Sequence, residues 1–277
     1  GNRLVLTRRK DYWGDSRVQG VYNFDEIKFT VVSDDRLELE KFKKGEFDLY
    51  LPSRAQWWHQ ELIASKVRPI QRGLIQKRKI FNYNPQGFSG IAFNTQGPPF
   101  DDIRVREAFL LLWNVDQLIE KMFFGEYERC RSYFQGTVYE NPGLQNPKYN
   151  PSKAIELLAQ AGWIKKEGEP WLTKDGVILE VDMTLDSALN RIFTPYQEDL
   201  KKAGIKLNLV NMTQQAIFEA VMKREFKMTY TGWTGQLFPN PESSMHSKYA
   251  DLAESGNITG MMNPEIDRLC EEYEQTF

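Results

Sequence analysis

Alternating hydrophobic and polar positions divide the chain into short segments, and one order of segments occurs twice. The first copy, 27–51, reads IKFTVVSDDRLELEKFKKGEFDLYL, and the second, 205–231, reads IKLNLVNMTQQAIFEAVMKREFKMTYT. Each copy predicts a strand, a polar turn, an amphipathic helix and a second strand, which is the order of a βαβ unit. From Leu39 and Phe218 onward the copies align without a gap. They match at Glu40 and Glu219, Lys44 and Lys223, Glu46 and Glu225, and Phe47 and Phe226. The repeat therefore predicts an α/β fold.

Tryptophans follow both copies of the repeat. Trp57 and Trp58 come after the first copy in PSRAQWW, and Trp233 comes after the second, between Gly232 and Gly235. In open α/β sheets, ligands bind beyond the carboxyl ends of the strands, and glycines let a loop come close to a ligand. We therefore expect these indoles to offer aromatic faces to one cleft, with Trp233 on a loop. The alternative is that each indole is an ordinary packing residue.

The region between the two copies alternates between extended and helical patterns. Periodicity predicts strands at 90–93 and 179–185, and helices at 103–112, 115–124, 152–161 and 195–203. Asp101 or Asp102 is expected to cap the first of these helices, and Gly125 to follow the end of the second. This region is therefore also predicted to be α/β.

Composition and charge limit the classes of function. With 277 residues, 41% of them hydrophobic, the chain is large enough for one large domain or two smaller ones. Residues 1–80 carry 17 Lys and Arg against 11 Asp and Glu, whereas the remainder carries 19 against 27, which suggests two units. Neither part has the basic stripe that nucleic acid requires. The longest apolar run, 108–113, is far too short for a membrane span, and GNRLVLTRRK at the start is no signal segment.

Catalytic chemistry has few candidates in this sequence. His59 and His246 are the two histidines, and neither lies at a helical spacing from another metal ligand. The two cysteines lack metal spacing, and GxSxG, GxGxxG and Walker-type motifs are absent from the sequence. We therefore expect no catalytic residues, no metal and no cofactor, with hydrogen-bonded or solvent-facing roles for both histidines.

Three tracts resemble the family 5 extracellular solute-binding proteins of ABC importers. These tracts are TRRKDYWGD at 7–15, IAFNTQGPPFDDIRVREAFLLLWNVDQLIEKMFFGEYER at 91–129 and YNPSKAIELLAQAGW at 149–163. The shorter marks FKKGEFD at 42–48 and Gly232-Trp233 fall in the same order, so the similarity extends over essentially the whole chain. The resemblance implies a two-lobed α/β fold of the type II periplasmic-binding-protein kind.

The resemblance also implies a domain organisation and a location. Residues 1–81 would be part of lobe I, with its βαβ unit, and residues 82–277 would be lobe II. The chain would then be an internal fragment whose signal sequence lies outside it. The full-length protein would be a monomer, periplasmic or lipid-anchored at the outer face of the cell membrane, that delivers its ligand to an ABC transporter permease.

The details of the tracts look closest to the subgroup that takes oligopeptides and microcin-C-like peptide conjugates. The residues expected to contact such a ligand are Arg54, Trp57, Trp58, Ser89, Trp233, Thr234, Gln236 and Asn240. Many peptide binders of the family have an acidic residue after the Gly-Trp pair to hold the ligand's amino terminus, but Thr234, Gly235 and Gln236 stand here instead. Two alternatives stay open: an oligosaccharide-binding protein of the same fold, and a carbohydrate-active enzyme module.

Overall fold

The structure is a computed structural model that describes residues 3–14, 16–18 and 20–276. It divides into two compact units, Gly1–Lys79 and Ile80–Phe277, which we call unit one and unit two. Asp15, the last residue of the TRRKDYWGD tract, lies outside the described residues. The assignment of the two units to lobe I and lobe II remains a prediction from the resemblance.

The described part of unit one contains a two-stranded antiparallel sheet and two helices. Its elements are β1 (Arg3–Thr7), β2 (Glu26–Thr30), α1 (Asp35–Lys43) and α2 (Arg68–Gln71), with a π-helical turn at Trp57–Glu61. Helix α1 begins after Asp34 because the carboxylate of Asp34 accepts the backbone N–H of Leu37 at 2.6 Å. Leu39 on the buried side of α1 packs with Trp57 and Leu62 to form a small core.

The first copy of the repeat does not form a complete βαβ unit, so that prediction was wrong. Its first strand and its helix are β2 and α1, but residues 47–51, expected as the second strand, are irregular. A strand needs a neighbour to satisfy its backbone N–H and C=O groups. In the described part of unit one, β1 pairs with β2 alone and residues 47–51 lie beside no strand.

Unit two is built on a four-stranded mixed sheet of the order β3-β9-β7-β8. The strands of unit two are β3 (Phe88–Phe93), β4 (Ile164–Lys165), β5 (Leu172–Lys174), β6 (Val177–Ile178), β7 (Glu180–Leu185), β8 (Lys206–Asn211) and β9 (Met228–Trp233). Strand β7 is parallel to both β8 and β9, whereas β3 is antiparallel to β9. Strands β4 to β6 form a small separate antiparallel sheet.

Most helices of unit two begin at a side chain that caps them. They are α3 (Ile103–Leu111), α4 (Val115–Lys121), α5 (Pro151–Gln160), α6 (Asn190–Lys202), α7 (Gln214–Met222), α8 (Glu242–Met245) and α9 (Pro264–Glu274). Asp102, Asn114 and Asn150 cap α3, α4 and α5 through their side-chain oxygens. The expected start of α6 at Pro195 was wrong. Asp186 accepts the N–H of Ala188 and starts a 3₁₀ turn that continues into α6, so Pro195 lies inside the helix.

The second copy of the repeat forms β8, α7 and β9, and its strands are parallel as expected, but β7 lies between them. The main core packs Phe109 of α3, Leu158 of α5 and Phe193 of α6 against Met183 of β7. A second cluster packs Ala92 of β3 with residues of α7. Helices thus cover the sheet on both faces, which leaves its strand ends available for a site. None of the helices in the described part of the chain has the length and apolar content that crossing a bilayer requires.

Candidate ligand-binding site

Trp233 is the last residue of strand β9, so the prediction that it lies on a loop was wrong. In the register of the β3–β9 pair, Trp233 lies opposite Phe88 and Gly232 lies opposite Ser89. The alternation of apolar and polar side chains in the sequence ends before Trp233. Pairing with β3 nevertheless continues strand β9 as far as Trp233. The loop begins only at Thr234.

Three aromatic side chains form a group that we call the aromatic wall: Phe88, Tyr133 and Trp233. The rings of Phe88 and Trp233 stack with centroids 4.9 Å apart and an interplanar angle of 11°. Tyr133 packs edge-on against both, with centroid distances of 4.5 Å to Phe88 and 6.0 Å to Trp233. Burial raises the pKa of Tyr133 to about 12, so its hydroxyl keeps its proton at neutral pH. The wall is therefore uncharged at neutral pH.

Glycines allow the backbone segment before β3 to touch the backbone at the end of β9 and in the loop after it. A Cβ atom at Gly87 would lie 2.0 Å from the carbonyl oxygen of Trp233, and one at Gly235 would lie 2.4 Å from the carbonyl oxygen of Pro85. A Cβ at Gly232 would meet Ser89 Oγ at 3.4 Å, which is an ordinary contact. The close approach at Gly235 is thus to the protein's own backbone.

The aromatic wall lies at the edge of the sheet where α/β proteins bind ligands. Strands β7, β8 and β9 are parallel and end at Leu185, Asn211 and Trp233. Because β3 runs the opposite way, its first residue, Phe88, lies at that same edge. The carboxyl-end edge of a parallel sheet is the usual ligand site of such folds.

Three cavities open beside the wall, and both Phe88 and Trp233 line all of them. Cavity A, of about 1000 Å³, extends along helices α3 and α4 and includes Ser89 and Tyr230. Cavity B, of about 860 Å³, also lies beside β3 and includes Met245, Met261 and Met262. Cavity C, of about 140 Å³, includes Thr234, Gln236 and Asn240. The first two are in the size range of pockets that hold small organic ligands.

Cavity A is mainly apolar, with several aromatic side chains and a few polar groups. Burial raises the pKa of Tyr230, and the neighbouring Ser89 hydroxyl offsets part of that rise. Of the charged side chains in this cavity, Arg129 is 13% exposed and lies 3.6 Å from Asp116, whereas Glu128 is exposed. An apolar cavity with a few polar groups of this kind holds an apolar ligand body and orients its polar atoms.

The polar residues of the loop after Trp233 gather at cavity C, as a binding role requires. Thr234, Gln236 and Asn240 are all exposed. The side-chain oxygen of Asn240 accepts the backbone N–H of Glu242 at 2.9 Å, which positions this side chain at the start of α8. Gly235 lies between the first two and holds the loop against Pro85. Ligand contacts by these residues remain a prediction.

The predicted site residues of unit one have different surroundings from one another. Trp57 is 5% exposed and belongs to the core with Leu39, so the packing interpretation accounts for it. The guanidinium of Arg54 lies 5.0 Å from the Trp57 ring centroid and 3.5 Å from Asp35 Oδ2. Trp58 is half-buried, and the ammonium of Lys77 lies 4.3 Å from its ring centroid. Arg54 and Trp58 therefore remain candidates, but Trp57 is better explained as a core residue.

Across the described residues, no three His, Cys, Asp or Glu side chains are grouped to hold a metal ion. The Nδ1 atom of His246 accepts the backbone N–H of Lys248 at 3.1 Å and lies 3.3 Å from Asp267 Oδ1. His246 thus has the hydrogen-bonded structural role that the sequence predicts, and His59 is exposed on the π-helical turn.

Sequence patterns did not identify Phe88, Tyr133 and Tyr230 as members of this site. Tyr230 is visible as an alternating strand residue, and Phe88 directly precedes the predicted Ser89. Their role depends on the β3–β9 pairing, which connects distant parts of the sequence. Tyr133 lies in an irregular segment, where no periodicity distinguishes it.

The mixed sheet covered by helices on both faces is that of an α/β protein, and the chain has the type II periplasmic-binding-protein fold. Solved structures support this fold. The oligopeptide-binding protein AppA of Bacillus subtilis, in complex with a nonapeptide, matches with a TM-score of 0.80 and 21% identity, over 100% of this chain and 53% of its own. NikA of Brucella suis, in complex with Fe(III)-EDTA, matches with a TM-score of 0.77 and 23% identity, over 99% of this chain and 53% of its own. A mannohexaose-bound oligopeptide-binding protein of Thermotoga maritima matches with a TM-score of 0.72 and 16% identity, over 99% of this chain and 53% of its own.

The chain belongs to the bacterial extracellular solute-binding proteins, family 5, whose middle-region model matches residues 1–255. The uncharacterized protein YejA of Escherichia coli (strain K12) is 26% identical to it, over 98% of this chain and 50% of that protein. A protein of Agrobacterium fabrum named "Probable peptide-binding protein YejA" is 24% identical, over 97% of this chain and 50% of that protein. The chain therefore spans about half the length of the curated relatives it matches.

Proposed function

We propose that this protein is the substrate-binding component of an ABC importer and that its ligands are oligopeptides or peptide-like conjugates. It captures the ligand in a cleft between two lobes and delivers it to a membrane permease. It acts as a monomer outside the cytoplasmic membrane, in the periplasm or held by a lipid anchor. Its role is binding without chemical change of the ligand.

The observation that carries this proposal is the neutral aromatic wall with cavities on several sides. Flat aromatic faces accept side chains of different shapes, because they supply contact area without demanding one geometry. The methionines of cavity B are flexible and fill irregular gaps, a property of surfaces that bind varied partners. The exposed polar groups of cavity C can hydrogen-bond the backbone amides of a peptide, which are present whatever its sequence.

The comparisons support the peptide class without identifying the ligand. The Agrobacterium fabrum relative has the name "Probable peptide-binding protein YejA", and the Bacillus subtilis structure holds a nonapeptide. An oligosaccharide ligand is the second candidate, because indoles also stack on sugar rings and the Thermotoga maritima structure holds mannohexaose. Both candidates use the wall of Phe88, Tyr133 and Trp233.

Calorimetric titration separates the two candidates. The protein, expressed from its complete gene, is titrated with a randomised pentapeptide library and, separately, with mixed oligosaccharides. We expect saturable heat with the peptides and none with the sugars. Heat with the sugars alone would replace the peptide proposal by the oligosaccharide one.

The same samples test the absence of catalysis. After incubation at the titration temperature, mass spectrometry should recover peptides and oligosaccharides of unchanged mass. Hydrolysis of either class that disappears with one point substitution in the protein would show an enzyme and contradict the proposal.

A further inference from the structure

Gly90 occupies the interior of strand β3, where a glycine weakens the strand. Its neighbours in the strand are Ser89 and Ile91. A glycine in the interior of a strand commonly marks a bulge, a close approach of another backbone segment, or a place where a ligand comes near. The surroundings of Gly90 distinguish these three explanations.

A bulge and a close backbone approach do not account for Gly90. The pairing of β3 with β9 runs without an extra residue from Phe88, opposite Trp233, to Phe93, opposite Met228. The φ angle of Gly90 lies outside the left-handed region, so other residue types can adopt its backbone conformation. Among the described residues beyond its chain neighbours, the only atom within 4 Å of an added Cβ is Cζ3 of Trp233, at 3.9 Å. In the described part of the chain, no other backbone segment therefore prevents a side chain at Gly90.

The open space at Gly90 lies on the same face of the strand pair as Trp233. Residues opposite each other in an antiparallel pair project to one face, and so do residues two positions apart in a strand. Phe88, its partner Trp233 and Gly90 therefore share a face, which agrees with the 3.9 Å between the added Cβ and the indole. The absent side chain would thus point towards the aromatic wall.

Gly90 lines both of the larger cavities. The described residues that line cavity A and cavity B in common are Phe88, Gly90, Ile91, Phe93 and Trp233. The other four have large apolar side chains, so Gly90 leaves a gap among them. None of these residues is charged. A gap bordered by apolar side chains favours an apolar group of a ligand.

We propose that Gly90 is a specificity-determining residue, whose missing side chain leaves room beside Trp233 for a large apolar side chain of the ligand. This inference rests on the proposed function, because it assumes a peptide-like ligand. A leucine or phenylalanine side chain of the peptide fills the gap and contacts the indole. An alanine or serine side chain leaves the gap empty.

The test uses the protein expressed from its complete gene and two pentapeptide pools. The first pool contains only Gly, Ala and Ser, and the second has the same composition with one Leu or Phe at a random position. In calorimetric titration, wild-type protein should bind the second pool at least about tenfold more tightly, because filling an apolar pocket with additional carbon atoms has an effect of this size.

Gly90→Val fills the gap, so it should abolish this preference while leaving the affinity for the first pool unchanged. Valine favours strands, and the variant should therefore retain the fold. Gly90→Ala adds a single carbon atom at an ordinary contact distance from the indole. It should reduce the preference by a smaller factor, and it tests the inference even if the valine variant does not fold.

Gly97→Val is the matched control. Gly97 is not among the described residues that line the three cavities, and its Cβ would have only Lys227 Nζ, at 4.0 Å, nearby. This variant should keep the preference of the wild-type protein for the second pool.

Three results overturn the inference while peptide binding stands. They are a preference that survives both substitutions at Gly90, an equal loss of affinity for both pools in these variants, and wild-type protein that binds both pools equally. Wild-type protein that binds neither pool but binds oligosaccharides overturns the proposed function as well.

Discussion

The indole of Trp233 stacks on the ring of Phe88 at a centroid distance of 4.9 Å, and the two residues lie opposite each other at the edge of the β3–β9 pair. One face of the indole is thus used for packing. Trp233 is nonetheless only half-buried and lines all three cavities. The same side chain therefore stabilises the strand edge and offers surface to a ligand.

Replacing Trp233 with Ala should weaken binding of pentapeptides by about 1 to 3 kcal/mol, because a ligand would lose a packed aromatic contact. The free energy of unfolding should fall by less, since the indole is half-exposed in the unliganded protein. Calorimetry gives the first quantity and urea unfolding the second. Trp233→Phe is the control, because a phenyl ring can keep the stack on Phe88. If Trp233→Ala instead unfolds the protein while each folded molecule binds normally, the indole is a core residue.

Gly235→Ala should disturb the edge of the β3–β9 pair by forcing two backbone segments apart. The new Cβ atom would lie 2.4 Å from the carbonyl oxygen of Pro85, so the two segments must move apart. Overpacking of this kind lowers the free energy of unfolding by about 1 to 3 kcal/mol, and peptide affinity should fall with it because cavity C changes shape. Gly97→Ala is a matched control, since its Cβ would have only Lys227 Nζ, at 4.0 Å, within range. If Gly235→Ala and Gly97→Ala have the same free energy of unfolding and the same peptide affinity, the close contact with Pro85 does not matter for either property.

Local patterns predicted helices α3, α4, α5 and α7, but they placed the start of α6 too late and did not predict α8 and α9. Helix α3 begins after Asp102 and α5 after Asn150, because a cap and an amphipathic period are properties of neighbouring residues. The strand order was not predictable in the same way. Residues of β7 lie between β8 and β9 in the sheet, and this arrangement depends on contacts between distant segments. The missing strand at 47–51 has the same cause, since a strand forms only beside a partner.

The candidate site could be predicted only in part, because contacts between distant segments also determine which residues it contains. Trp233, Ser89 and Thr234 lie together beside cavity A, as their inclusion in one site requires. Phe88 and Tyr133, which complete the aromatic wall, were missed because their contacts come from strand pairing and from an irregular segment. Trp57 was included for its residue type, although it packs in the core of unit one. Residue type alone suggested that tryptophans bind the ligand. Only the fold shows which tryptophan lines a cavity and which one packs in the core.

Stability should depend on pH through Asp102, the capping residue of α3. A nitrogen of Arg104 lies 2.5 Å from Asp102 Oδ2, and the hydrogen bonds from Arg104 hold the pKa of Asp102 below its usual 3.8, against the opposing effect of burial. Because the pKa is lower in the folded state, the charged carboxylate stabilises the fold above the unfolded-state pKa. This stabilisation is lost as the pH falls through the folded-state pKa.

Asp102→Asn keeps an oxygen that can cap the helix and removes the charge. It should lower the free energy of unfolding by about 1 kcal/mol at neutral pH, and the difference from wild type should shrink between about pH 5 and pH 2. Urea unfolding over this range measures both. Glu120→Gln should show almost no pH-dependent difference, since its pair with Lys121 is solvent-exposed on both sides. A difference for Asp102→Asn that stays constant as the pH falls would exclude the ion pair as its cause.

The segment between the two units should be the first site of proteolysis. Residues 79–84 form no helix or strand, and the side chains of Ile80, Phe81 and Tyr83 are 84%, 88% and 105% exposed. Proteases cleave extended, accessible backbone most readily. Brief treatment with chymotrypsin should therefore cut first after Phe81 or Tyr83. Mass spectrometry of the two products gives the position. A variant with both aromatic residues changed to Ser should resist this cut and be cleaved later elsewhere. First cleavage after Leu237, in the loop beside cavity C, would show that the loop opens more readily than the connection between the units. It would remove this support for a domain boundary near residue 81.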